Sequence, residues 1–111
     1  MSKKALALHL IEKGLHNANL QKIPGTLNEW DTGNWWIGDR TAAQLQGRKV
    51  YLHRGQDKAS HIGGEVISFR QASGADTKRK VFRFQESPQC SGVHAPTTGW
   101  GNEKCIIWAP Q

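Results

Sequence analysis

Arg48-Lys49-Val50-Tyr51-Leu52-His53-Arg54, then Glu65-Val66-Ile67-Ser68-Phe69-Arg70, then Arg79-Lys80-Val81-Phe82-Arg83-Phe84-Gln85-Glu86: these three runs decide how the chain reads. Each alternates in the period of two that puts successive side chains on opposite faces of a strand. Val50 and Leu52 share one face of the first run, with Tyr51 and His53 on the other. In the third, Phe82 and Phe84 oppose Val81 and Arg83. Polar connections at Gly55–His61 and Ala72–Asp76 separate the runs, so the spacing predicts an antiparallel meander. Gly63-Gly64, ahead of the second run, predicts a bulge or a close backbone approach.

Outward from this block the signals weaken. Ala5–Ile11 combines helix-favouring residues with an alternation of Leu6, Leu8 and Leu10, and we read it as a strand. Leu15–Ile23 has room for a short helical turn, and Pro24-Gly25 marks a reversal. Leu27–Gly38 carries Trp30, Trp35 and Trp36 among the turn-favouring Asp31, Gly33 and Asn34. Asp39 is placed to cap a short helix over Arg40 to Leu45 that closes at Gly47. Pro88–Gly101 reads as a loop, and Glu103–Trp108 as a last strand that buries Cys105, Ile106 and Ile107.

With 111 residues the chain suits one domain, residues 1–111, because two would each be too small to bury a good core. The expected class is mainly β (α+β), with one or two short helices. The formal net charge is +6. The positive charge clusters: Arg40, Arg48, Lys49 and Arg54 share one acid-free stretch, and Lys78, Arg79, Lys80 and Arg83 another. Such blocks suit either solvated strand edges or a phosphate-contacting face. For the second reading the candidates are Arg40, Lys49, Arg54, Arg70, Arg79 and Arg83.

Two cysteines, and an N-terminal apolar run that is too short to span a bilayer and is followed by Glu12 and Lys13 in place of a leader's small-residue cleavage site, predict a cytoplasmic protein with reduced thiols and no membrane partner. The His and Cys residues lack zinc-type spacing and no nucleophile or phosphate-loop motif occurs, so no metal, cofactor or catalytic residue is expected.

Five tryptophans are the most distinctive feature. Indole faces stack bases or hold cations, and they also fill cores. Trp36 and Trp108, next to Ile37 and Ile107, read as packed. Trp30, Trp35 and Trp100 read either way, with Trp35 or Trp100 as the stacking ring and His53, Asn34 or Asn102 as readers of a base edge. Tyr51 with His53 forms a second face of this kind.

The order Gly33-Asn34-Trp35-Trp36-Ile37-Gly38, then Leu45-Gln46-Gly47-Arg48-Lys49-Val50-Tyr51-Leu52-His53-Arg54, then Ile62-Gly63-Gly64-Glu65-Val66-Ile67 resembles the middle of the PUA-like superfamily, its EVE-like branch above all. The match covers roughly residues 33–70 and departs at Arg48, where that family carries an acid. The resemblance implies a small bent β-barrel that binds RNA, or modified bases, in an aromatic pocket, with Trp35, Trp36, Tyr51, His53 and Gly64 near the ligand.

The expected function is therefore a non-catalytic nucleic-acid-binding module, DNA or RNA, with a modified or flipped-out base as the narrower form. Its ligand residues would be Trp30, Trp35, Trp36, Tyr51, His53, Gly64 and Trp100. The alternatives are a protein-interaction accessory factor, and a small hydrolase of a nucleoside-like ligand using Glu65 or Glu103 with Lys104.

Overall fold

The computed structural model describes residues 4–12, 20–72, 78–96, 98–101 and 103–110. Eight strands form one mixed sheet: β1 (Ala5–Ile11), β2 (Gln21–Lys22), β3 (Glu29–Trp36), β4 (Lys49–His53), β5 (Ser60–Gln71), β6 (Arg79–Glu86), β7 (Trp100–Gly101) and β8 (Lys104–Trp108). One helix, α1 (Asp39–Leu45), and a 3-10 turn at Pro88–Cys90 complete the described elements. The strand order is β2-β3-β6-β5-β4-β1-β8-β7. Among the described residues every pairing is antiparallel except β1 with β4.

The expected meander is present as the neighbours β6, β5 and β4. Two expectations change. The sheet is not wholly antiparallel, and it ends at β2 and β7 rather than closing into a barrel. The parallel pairing has its reason in β1, which sits between β4 and β8 with Leu8, His9, Leu10 and Ile11 all buried. A strand covered on both faces takes a nearly unbroken apolar run, the usual setting of a parallel pair. That also explains why its alternation was hard to read.

The core joins Leu8 and Leu10 of β1, Val50 and Leu52 of β4, Val66 of β5 and Phe82 and Phe84 of β6 to Trp35, Ile37, Ala42 and Leu45. Helix α1 caps this layer, and its Gln44 Oε1 accepts from the Ala5 N–H at 2.8 Å. Gly38, not Asp39, is the N-cap residue. Asp39 instead starts the helix and pairs at 3.0 Å with the Nζ of Lys80, which is otherwise sealed in the core. Gly47 closes the helix with φ 80°.

The aromatic segment forms strand β3 where turns were expected. Its turn-prone residues are absorbed by a register shift between Asp31 and Asn34. There the Thr32 hydroxyl accepts the Phe82 N–H at 3.1 Å and replaces a missing ladder bond. The second glycine-led run is longer than read, from Ser60 to Gln71. The helical turn expected at Leu15–Ile23 falls mostly outside the described residues, and Gln21–Lys22 at its end is strand β2. Of the last strand, Cys105 is buried, while Ile106 and Ile107 are only half-buried.

Candidate functional site

Two separate clusters of chemically active side chains form. The first is an open cleft of about 360 Å³ lined by Trp36, Ile37, Gly38, Thr41, Lys78, Lys104 and Ile106. Trp36 ends β3 and leaves 53% of its surface exposed. The Nζ of Lys78 lies 5.4 Å from its ring centroid and that of Lys104 lies 5.9 Å away, both within cation–π range. Burial, with Arg79 second, pulls the Lys104 ammonium below its ordinary value of 10.5. An incoming anion would relieve that cost.

Trp36, read as packed, is the exposed ring, and Trp35, read either way, is the packed one. Strand alternation turns Trp35 to the core with Lys80 and leaves Trp36 outside, opposite Arg79. The neighbour Ile37 is indeed buried, but adjacency along a strand says nothing of the face next door. Trp108 is likewise 37% exposed rather than packed. Trp30 packs half-buried on the core, with its Nε1–H on Glu86 Oε1 at 2.9 Å and Lys22 over its ring. It is not part of the cleft.

The second cluster lies on the face of β1, β4 and β8 that α1 leaves uncovered. His9 Nδ1 and His53 Nε2 are 2.7 Å apart, and His53 Nδ1 is 2.8 Å from the Lys58 carbonyl. A carbonyl only accepts, so His53 Nδ1 carries its hydrogen. In the neutral ring Nε2 then accepts, His9 Nδ1 donates, and a lone pair is left on His9 Nε2. Burial first, and His53 second, lowers His9 from 6.5 to about 4. Burial also lowers His53. Tyr51 stacks on His9 at 4.7 Å, and Trp100 meets both imidazoles edge-on. This arrangement can hold a neutral base, but the rings of His9 and His53 are almost wholly enclosed.

Tyr51, His53 and Trp100 thus come together, yet separately from Trp36. Gly64 belongs to neither cluster: a Cβ there would strike the Gln85 carbonyl oxygen, so it serves strand packing. His9 was missed because it falls in the ambiguous N-terminal run. Its signal is visible only in retrospect, as the one polar side chain inside the apolar stretch Leu8 to Ile11. Cys90 and Cys105 are both free and buried. Of the residues named for a hydrolase, Glu65 is exposed, Glu103 is half-buried and Lys104 lines the cleft.

The expected phosphate ligands divide. Arg70, Arg79 and Arg83 lie on one open face of β5 and β6, with Arg70 and Arg83 both held by Asp31 at 3.0 and 3.2 Å. Arg40 is exposed on α1, Lys49 is opposite Glu65 on β4, and Arg54 is exposed beyond β4. These three do not join that group. Asn34 accepts from Arg79 at 3.3 Å, and Asn102 lies outside the described residues.

No helix among the described residues is long and apolar enough to cross a membrane. Comparison with known proteins finds no matching family model, no matching curated protein and no matching solved structure.

Proposed function

We propose that the protein is a non-catalytic nucleic-acid-binding module and that the Trp36 cleft is where it takes a base. One observation carries this reading: a half-exposed indole, at the mouth of an open cleft, with two ammonium groups within 6 Å of its ring. A base of any identity stacks on the indole face by displacing a lysine ammonium from over the ring, and the lysines then meet the phosphate attached to it. Ile37 and Ile106 supply the apolar floor, while Thr41 offers a hydroxyl to a base edge. The excess of positive charge adds a longer-range attraction. A PUA-like relationship is part of the proposal. It draws support from the tryptophan-bearing strand that precedes the β4–β5 hairpin, although the ligand tryptophan becomes Trp36 and not Trp35.

The test is a titration of intrinsic tryptophan fluorescence with short DNA and RNA oligonucleotides at about 20 mM salt. Quenching should saturate and weaken with added salt, with a log–log slope of about −0.7 per phosphate contact on a single strand. Trp36→Ala should cost about 1–3 kcal/mol of affinity, the usual worth of one stacked base. Absence of binding to either polymer at low salt would remove the proposal.

A further inference from the structure

We infer that the cleft is one end of a track for single-stranded nucleic acid, running from Trp36 across the open face of β3, β6 and β5 to the Arg70–Asp31–Arg83 cluster. This rests on the proposed reading of the cleft and adds the form of the polymer, its path and its length. The side chains of Arg79, Val81 and Arg83 follow one another on the same face of β6, while Lys80, Phe82 and Phe84 fill the core behind them. Cross-strand partners continue the face on both sides. Trp36 lies opposite Arg79, Asn34 and Arg70 flank Val81, and Asp31 and Ser68 flank Arg83.

The far end is built for an anion. Asp31 is buried, with its side chain only 8% exposed, and each of its oxygens holds a different guanidinium. Oδ2 takes Nη1 of Arg70 and Oδ1 takes Nε of Arg83. These contacts fix both forks while leaving further N–H groups on each, since a guanidinium carries five. Two positive groups on one carboxylate leave a net charge of +1, and the Arg70 side chain is 56% exposed to water. Arginines oriented in this way suit phosphate oxygens.

The spacing sets the length. Arg79 and Arg83 are four residues apart, about 14 Å along a strand. That equals about four nucleotides at ~3.4 Å each, and fewer if the strand is stretched. The strand must be single because the Trp36 ring needs an unpaired base face, which a duplex withholds within its stack.

The experiment compares thymidine monophosphate with oligothymidylates of two, four and eight residues, and with a 12-base-pair duplex, on the full chain by fluorescence quenching. Affinity should rise at least about tenfold from the monophosphate to the tetramer and then flatten. The single strands should outbind the duplex. Arg70→Ala keeps Asp31 paired with Arg83, and it should reduce tetramer affinity about three- to fivefold more than monophosphate affinity, with the salt slope shallower by about 0.7. Arg83→Lys, which keeps the charge but not the fork, is the second variant should the first lose its fold by circular dichroism. It should lower the tetramer-to-monophosphate ratio in the same direction. Monophosphate binding without a gain in length, equal losses for both ligands, or preference for the duplex would each overturn the track and leave the cleft standing. Failure of every ligand to bind would overturn both.

Discussion

His9 and His53 show how much one pair of side chains can determine. Their rings share a single hydrogen between nitrogens 2.7 Å apart, inside a layer closed by Tyr51 and Trp100. Both are held below the ordinary histidine value, His9 down to about 4. His61, lowered mainly by burial and then by Arg54, adds to the same effect. The unfolded chain therefore binds more protons than the folded one between about pH 6.5 and 4. Stability is complete above pH 6.5 and drains away as the pH falls through that window. His9 alone accounts for about 3 kcal/mol, at about 1.36 kcal/mol per pKa unit. Thermal melts should show Tm level from pH 7 to 8 and falling by several degrees toward pH 5. In His9→Phe the acid-side loss should be smaller. A wild-type Tm unchanged down to pH 4.5 would contradict the enclosed neutral pair.

Among the elements, β5 is the one whose sequence explains its geometry most directly. Gly63 and Gly64 were readable as a close approach, and the structure names the surfaces involved. A Cβ at Gly63 would meet the Val50 carbonyl and, at 2.9 Å, the Cβ of Cys90, while one at Gly64 would run into the Gln85 carbonyl. Backbone on the neighbouring strands cannot move aside as a flexible side chain can. Gly64→Ala should therefore cost about 2–4 kcal/mol, as overpacking beside fixed backbone does. Gly101→Ala, where an added Cβ meets nothing, should stay within about 0.5 kcal/mol. Urea denaturation of the two variants checks the contrast. Strand β3 gives the opposite lesson. Its Asp31-Thr32-Gly33-Asn34 run has turn chemistry, and only pairing with β6 made it a bulged strand, with Thr32 satisfying the Phe82 N–H.

Across the whole molecule, the cleft exists because the sheet curls. β3 is second in the strand order and β8 seventh, yet Trp36 of one and Lys104 and Ile106 of the other line the same space. No local segment holds the site, so it should vanish with the fold and not before. Loss of oligonucleotide binding and loss of far-ultraviolet sheet signal should share one urea midpoint. A site that persisted after the sheet signal was gone would show that the tryptophan–lysine cluster forms locally.

Alternation within the block from Arg48 to Glu86 determined three strands, their faces and the packing of Phe82 and Phe84, because a period of two is a property of the backbone itself. Composition determined the positive charge and the supply of indoles. Only the tertiary structure decided which indole meets water, since that depends on the partner strand that covers each face, and Trp35 and Trp36 differ by one position. It also decided that β1 lies parallel to β4, which brings His9 to His53 across 44 residues of chain. Contacts of that separation depend on the whole sheet, and no neighbourhood of residues encodes them alone.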